Sequence, residues 1–176
     1  MDFHAKNSQR TESFTNFHRF VPYYGGMELD MEREVIQSVG FRNTSEHGKV
    51  TGFQLKIRLP YYRGVFLSQI RPGTLTVDGL RFEKEDIVWN INGEDYTYEE
   101  MRHDWHTHWA VTSPAILKVK LPGGLSQGYH DITYGFCFTS SYMPPAIQDH
   151  LDPDEEPFIF LPEFGHHVNN RRLLIV

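Results

Sequence analysis

The chain has 176 residues, 39% of them hydrophobic and 23% charged, with a formal net charge of -6 at pH 7. This length and composition predict a single globular domain and exclude an intrinsically disordered chain. The acidic balance argues against a general nucleic-acid or anionic-membrane binder, because such a protein needs a basic face.

The compartment is predicted from what the sequence lacks. No apolar run approaches the roughly 20 residues of a membrane helix, and the N-terminal "MDFHAKNSQR" has no signal-peptide pattern. The only cysteine is Cys137, so an internal disulfide is excluded. We therefore expect a cytoplasmic protein that does not bind membranes or nucleic acid.

Residues 1–32 are polar with isolated aromatic side chains, and "PYYGG" at 22–26 indicates a turn. We expect an N-terminal arm that packs through its aromatic residues and is partly helical near "MELDMEREV".

Residues 33–145 form the predicted body. In "GFQLKIRL" (52–59) apolar and polar side chains alternate with the period of a half-buried strand. Asp78-Gly79 and Asn92-Gly93 are hairpin-turn pairs, and two more strands, "AILKVK" and "YHDITYGFCF", flank a glycine-rich connection. Only "YTYEEMRHD" suggests a short helix. Short strands separated by frequent turns predict an all-β fold, an antiparallel β-sandwich of jelly-roll-like type.

Residues 146–176 differ in composition. A segment rich in proline and acids predicts an exposed irregular loop. The apolar end, residues 173–176, would be unfavourable in water, so we expect it to add a strand to the sheet or to dock on a partner.

The segment "HDWHTHW" (103–109) carries three histidines. On a strand, His106 and His108 would share one face and Trp105 and Trp109 the other, so we expect buried tryptophans and outward imidazoles. A cupin-type metal site would need further ligands. No acid follows His108 closely, and the spacing does not select among the candidates for a third ligand, which are His130, His166 and His167. We expect no metal on this chain and assign no role to His103, His106 and His108.

Other catalytic signals are weak. The sequence contains no nucleophile elbow, phosphate-binding loop or dinucleotide fingerprint. Cys137 lies in a predicted strand and is typical of a core residue rather than a nucleophile. No catalytic residue is identified.

A set of short motifs occurs in a characteristic order: "YYRG" (61–64) followed by "LS", "VDG" (77–79), "INGEDY" (91–96), "PGGL" (122–125) and "SYMP" (141–144). In this order they resemble the small β subunit of the bacterial C-glycoside deglycosidases. The resemblance covers about residues 35–145, and the histidine-rich segment is not part of it.

The resemblance implies a cytoplasmic two-subunit carbon–carbon lyase that acts on 3-oxo-C-glycosides of flavonoids or other phenols. The partner would be an isomerase-like TIM-barrel α subunit that carries a divalent metal, manganese in many members, whereas this chain would hold no cofactor. A base would remove the proton on C2 of the oxidised sugar, and the bond between the sugar and the aryl carbon would then break by elimination. The β-sandwich would brace or cap the α subunit, with substrate at or near the interface.

Two matched motifs supply candidates for that interface. Tyr61, Tyr62 and Arg63 follow Pro60 at a predicted corner, and their types are those of interface hot spots. From "SYMP" we add Tyr142 and Met143. Two alternatives stay open: a carbohydrate-binding module with exposed aromatic residues, and a cupin-type metalloprotein that uses His106 and His108.

Overall fold

The structure is a computed structural model, and it describes residues 23–24, 27–28, 31–139, 142–148, 150–155 and 168–176. Residue contacts divide the chain into two units, residues 1–33 and residues 34–176, and each is described by itself. The three-part division predicted from the sequence stays a prediction.

In the first unit, β1 (Tyr23–Tyr24) pairs antiparallel with β2 (Met27–Glu28). The helix predicted near residues 27–35 is therefore wrong, because residues 27–28 are extended and residues 31–35 contain no helix. The aromatic residues that suggested a packed arm lie outside the described residues: Phe3, Phe14, Phe17 and Phe20.

The second unit contains eleven strands and two short α-helices among the described residues, together with two 3-10 helices at Leu67–Gln69 and Lys84–Asp86. In chain order these are β3 (Arg42–Glu46), β4 (Lys49–Ile57), β5 (Val65–Phe66), β6 (Ile70–Val77), β7 (Leu80–Phe82), β8 (Ile87–Ile91), β9 (Glu94–Tyr96), α1 (Tyr98–His103), β10 (His108–Trp109), β11 (Ala115–Lys120), β12 (Gly128–Phe138), α2 (Pro145–Gln148) and β13 (Asn169–Ile175). None of the helices in the described segments is long and apolar enough to cross a membrane.

The strands form two main antiparallel sheets, one with the order β3-β4-β11-β8-β9 and the other with the order β13-β12-β6-β7. A separate pair joins β5 to β10. Rings from the two main sheets meet in one core: Trp89 contacts Phe136 at a centroid distance of 6.0 Å, and Phe53 contacts Phe82 at 5.4 Å. The predicted antiparallel β-sandwich is confirmed.

Local sequence explains the hairpins. Asp78-Gly79 and Asn92-Gly93 have positive φ angles of 50° and 82°, and of 56° and 92°. Positive φ at both central residues is the geometry of the turn that matches strand twist. Alternation along β4 explains part of the core. Phe53, Leu55 and Ile57 lie on one face of this strand, and all three are fully buried.

The glycine-rich connection does not form a hairpin within one sheet, whereas the C-terminal segment adds a strand, which is one of its two predicted outcomes. Both strands that flank the glycine-rich turn at 122–125 are present, but β11 pairs with β4 and β8 whereas β12 pairs with β6 and β13. The turn therefore carries the chain from one sheet to the other. The apolar C-terminus completes a sheet within this chain, because β13 pairs along β12 and buries Leu173 and Ile175.

The acidic segment is more ordered than predicted in the part that is described. It includes α2, and two of its carboxylates bind the body. Asp154 accepts hydrogen bonds from the backbone N–H and the hydroxyl of Thr74, both at 2.9 Å, and Asp152 pairs with Lys84 at 3.0 Å. The expectation of an irregular loop is therefore wrong for residues 145–148, which form α2, whereas residues 150–155 contain neither helix nor strand, as expected. Residue 149 and residues 156–167 lie outside the described residues.

Candidate functional site

The structure brings together two of the motifs on which the partner interface was predicted. After β4, the corner that carries Tyr61, Tyr62 and Arg63 lies against Tyr142, which is about 80 residues later in the chain. The Arg63 guanidinium carbon lies 5.2 Å from the ring centroid of Tyr142 and 5.7 Å from that of Tyr62. We call Tyr61, Tyr62, Arg63 and Tyr142 the tyrosine–arginine cluster.

The members of this cluster have different roles. Tyr61 packs on Tyr62 at a centroid distance of 4.4 Å and on the buried Phe138 at 4.8 Å, so it attaches the corner to the core. Burial, and next the neighbouring Tyr62, raises the pKa of the Tyr61 hydroxyl. Tyr62 and Tyr142 are 66% and 77% exposed. Their rings therefore hold the guanidinium at the surface.

The guanidinium of Arg63 lies over two tyrosine rings and is not paired with an acid in the described part of the chain. Interaction with the Tyr142 hydroxyl is the main cause that raises the pKa of its guanidinium, so the group is a permanent cation. None of the ion pairs found in the described part of the chain includes Arg63. A guanidinium has five N–H donors, so the interaction with the Tyr142 hydroxyl leaves others that suit a carboxylate.

Met143, the fifth predicted interface residue, is only 6% exposed. Its carbonyl oxygen accepts a hydrogen bond from the Gln148 side chain at 2.6 Å. Its side chain therefore packs inside the chain and presents little surface to a partner.

The histidine-rich segment lies beside this corner. In the β5–β10 pair, His108 is opposite Phe66, and their rings form an edge contact at 5.3 Å. A Cβ on Gly64 would lie 2.1 Å from Cε1 of His108 and 2.5 Å from the carbonyl oxygen of Trp109. The imidazole of His108 therefore lies directly on Gly64, next to Arg63.

Strand alternation correctly predicted that Trp109 is buried but wrongly predicted that Trp105 is buried. Trp109 is fully buried, and its ring contacts Trp89 at 5.7 Å. Trp105 is 67% exposed, so the prediction that it is buried is wrong. The reason is that β10 contains only His108 and Trp109, and the residues before it form a turn.

Asp104 shapes that turn. One of its carboxylate oxygens accepts the backbone N–H groups of His106 and Thr107, both at 2.8 Å. Burial disfavours the charged carboxylate, but the hydrogen bonds from Thr107 and His106 outweigh it and lower the pKa of Asp104. The Asp104 carbonyl also accepts the Ser68 N–H at 2.8 Å. Aspartate side chains often accept hydrogen bonds from backbone N–H groups two residues on and so form local turns, and Asp104 was a turn signal of this kind that could have been read from the sequence.

The three histidines of the segment have separate neighbours. His103 lies on α1 near Glu99, with 3.9 Å between nitrogen and oxygen. The ring of His106 stacks on Trp105 with centroids 3.7 Å apart, whereas His108 lies on Gly64. His106 is not in a strand, so the shared strand face on which the cupin alternative depends is not found.

The remaining candidate ligands are placed as follows. His130 is buried and bonds Asp78 through Nδ1 at 2.6 Å and the Ser126 carbonyl through Nε2 at 2.8 Å. His166 and His167 lie outside the described residues. Within the described ranges, no three His, Cys, Asp or Glu side chains come together in a way that could hold a metal ion. Cys137 is a core residue, and burial raises the pKa of its thiol to about 12.

The outer face of the five-stranded sheet holds an open depression of about 1000 Å³. It is lined by polar and charged side chains that include Arg42, Gln54, Asp95, Lys118 and Lys120. Lys118 and Asp95 pair at 2.7 Å. Among the described residues that line it, none is aromatic, so this face lacks the stacking surface expected of a carbohydrate-binding module.

The fold and the cluster together define an all-β protein with a cationic, aromatic corner at one edge of its body. Residues 31–142 match the family model described as C-glycoside deglycosidase beta subunit. A protein of Eubacterium cellulosolvens with the same description is 71% identical over 147 residues, which is 83% of this chain and 100% of that protein. The chain belongs to the C-glycoside deglycosidase beta subunit family.

More distant relatives extend the comparison. A C-glycoside deglycosidase beta subunit of Microbacterium trichothecenolyticum is 29% identical over 58% of this chain and 77% of its own length. A protein of a Microbacterium species, described as 3'-dehydrocarminate deglycosidase beta subunit, is 31% identical over 54% of this chain and 72% of its own length. The family recognised from short motifs is confirmed.

Proposed function

We propose that this chain is the small subunit of a cytoplasmic heteromeric lyase that cleaves the carbon–carbon glycosidic bond of 3-oxo-C-glycosides with flavonoid or other phenolic aglycones. The observation that carries the proposal is the 71% identity to a C-glycoside deglycosidase beta subunit over that protein's full length. The partner is an isomerase-like TIM-barrel α subunit, and this β-sandwich braces or caps it.

The chemistry follows from the oxidised sugar. The 3-ketone acidifies the C2–H bond, so a base can remove that proton. The electron pair then forms a double bond between C1 and C2, and the aryl carbon leaves with the C1 bonding pair and takes up a proton. A divalent metal, manganese in this proposal, would supply Lewis-acid stabilisation of the developing enolate charge. We assign it to the α subunit and assign no step to a metal on this chain.

The contribution of this chain is to hold the partner. Arg, Tyr and Trp are the residue types enriched in interface hot spots, and the tyrosine–arginine cluster exposes two tyrosines around one arginine. Because Tyr61 packs on Phe138, the cluster is already ordered before association, which reduces the conformational entropy lost on binding. The substrate lies at or near this interface.

The test of function is co-expression. We expect the α subunit and this chain to co-purify as a complex that cleaves a 3-oxo-C-glycoside, with metal that stays with the α subunit by elemental analysis. Cleavage of the same substrate by this chain alone would contradict the proposal, as would full activity of the α subunit without it.

The test of the interface is the substitution Arg63→Ala. We expect it to weaken subunit association more than tenfold by calorimetry, which is about 1.4 kcal/mol. The matched control is Arg172→Ala, because Arg172 also lies over an exposed tyrosine, 5.5 Å from the Tyr129 ring, but on β13. Equal effects of the two substitutions would remove the tyrosine–arginine cluster from the interface.

A further inference from the structure

Four of the five strongly exposed aromatic side chains in the described part of the chain lie in the corner or in the two segments beside it. They are Tyr62, Phe66, Trp105 and Tyr142. Together with Arg63 and His108 they form a surface that we call the aromatic ridge. Exposed apolar surface of this kind on a soluble domain marks an interaction site.

Contacts within the chain connect the ridge from Tyr142 to Phe66, and Trp105 is joined to it through the backbone of residues 106–108. Arg63 links the rings of Tyr62 and Tyr142, and the next residue, Gly64, supports the imidazole of His108. His108 in turn contacts Phe66. Two residues before His108, the ring of His106 covers one face of Trp105 at 3.7 Å.

Hydrogen bonds hold the backbone at the far end of the ridge, and the exposed ring of Trp105 packs on His106. The Asp104 carboxylate fixes the turn by accepting two backbone N–H groups. Two backbone hydrogen bonds join the turn to the body: the Ser68 N–H donates to the Asp104 carbonyl at 2.8 Å, and the Leu67 N–H donates to the Thr107 carbonyl at 3.1 Å. A large ring presented in a fixed position loses little conformational entropy when it is buried, and this is the property of a binding anchor.

We propose that the aromatic ridge is the docking surface for the partner subunit and that Trp105 is its second anchor beside Arg63. The proposal rests on the proposed function, because it takes the partner subunit as the occupant. The partner surface that fits the ridge presents a carboxylate to Arg63 and an apolar pocket to Trp105.

Charge selects this occupant over a second copy of the chain. The chain carries a net charge of -6, yet the ridge members include a cation and no acid, and the nearby Asp104 carboxylate is engaged by backbone N–H groups. In a two-fold symmetric contact between ridges, the same patch faces itself. A two-fold contact centred on Arg63 would bring the guanidinium close to its own copy, and in any such contact the ridge offers no acid to pair with it, which disfavours self-association.

The first experiment compares two exposed aromatic residues in the full chain, titrated with the purified α subunit by calorimetry. We expect Trp105→Ala to weaken association about thirtyfold, the fold-change that corresponds to a hot spot of about 2 kcal/mol. The control Tyr129→Ala removes a ring that is 65% exposed and lies on β12. We expect it to change the affinity less than threefold.

The second experiment needs no destabilising substitution. The chain has three tryptophans, and Trp89 and Trp109 are fully buried. Labelling with 5-fluorotryptophan therefore gives three fluorine resonances, of which Trp105 is the one lost in Trp105→Phe. When unlabelled α subunit is added, we expect the Trp105 resonance to shift and to lose its solvent isotope shift.

The outcomes distinguish a failure of the docking proposal from a failure of the proposed function. If the complex forms and the Trp105 resonance keeps its solvent isotope shift, the ridge is not the docking surface, although the proposed function stands. If Trp105 becomes protected only when a 3-oxo-C-glycoside is added to the complex, the ridge binds substrate and the docking proposal is overturned. If no complex forms with the wild-type chain, the proposed function itself fails.

Discussion

Gly64 is the position where a single methyl group tests the packing of the ridge. In Gly64→Ala, the new Cβ would lie 2.1 Å from Cε1 of His108 and 2.5 Å from the carbonyl oxygen of Trp109. The His108 ring is exposed and can rotate away. The Trp109 carbonyl belongs to the β5–β10 pair, and Trp109 is fully buried, so the backbone itself must move.

The expected loss of stability follows from two opposing contributions. Overpacking costs about 1–3 kcal/mol, whereas alanine gains roughly 0.4–1 kcal/mol by restricting the unfolded chain. We therefore expect the free energy of unfolding to fall by about 1–2 kcal/mol, with a decrease in Tm of roughly 2–8 °C for a chain of this size. Subunit affinity should fall as well, because the β5–β10 displacement moves His108 and the neighbouring Arg63.

The assay is chemical and thermal denaturation of the full chain, with calorimetry against the α subunit. The double variant Gly64→Ala/His108→Ala removes the closer contact but leaves the Trp109 carbonyl in place, so it should recover only part of the lost stability. A change of less than about 0.5 kcal/mol in the single variant, which is typical of neutral surface positions, would refute the reasoning.

Two further predictions concern buried polar groups. Burial disfavours the imidazolium of His130, but the Ser126 carbonyl and Asp78 outweigh it and raise its pKa above the ordinary 6.5. This interaction therefore stabilises the fold fully below pH 6.5 and is lost as the pH rises through the higher folded pKa. We therefore expect the difference in unfolding free energy between the wild-type chain and His130→Gln to decrease as the pH rises from 6.5 through the pKa of the folded protein. A difference that does not depend on pH would contradict this prediction. The Tyr134 hydroxyl and the Trp89 indole nitrogen are buried and make no well-formed hydrogen bond in the described part of the chain. Burial raises the pKa of the Tyr134 hydroxyl, although the Gly73 backbone and Trp89 lie close enough to the hydroxyl to oppose this effect. We expect Tyr134→Phe to leave the free energy of unfolding unchanged or to raise it by up to about 1 kcal/mol in denaturant titrations, and a loss above 1 kcal/mol would reveal a bond to that hydroxyl.

The sequence by itself determined those features that depend on neighbouring residues. Alternation placed Phe53 and Leu55 on the buried face of β4, and Asp78-Gly79 and Asn92-Gly93 form the predicted tight turns because both residues of each pair tolerate positive φ. The order of short motifs was also sufficient to identify the family that the comparisons confirm.

Tertiary structure decided which distant segments meet. The local sequence does not show that β11 and β12 belong to different sheets. Which strands pair depends on how the side chains of each strand pack against neighbours that are distant in the chain. Strand periodicity alone missed that β10 shrinks to two residues, because it does not include the local turn that Asp104 forms. The tertiary contribution is the hydrogen bond from the Ser68 N–H to the Asp104 carbonyl, which attaches that turn to the body. The contact of Arg63 with Tyr142 follows from the packing of Tyr61 on Phe138, which brings the corner beside the end of β12. The surface proposed to bind the partner is thus made by the fold from motifs that the sequence presents separately.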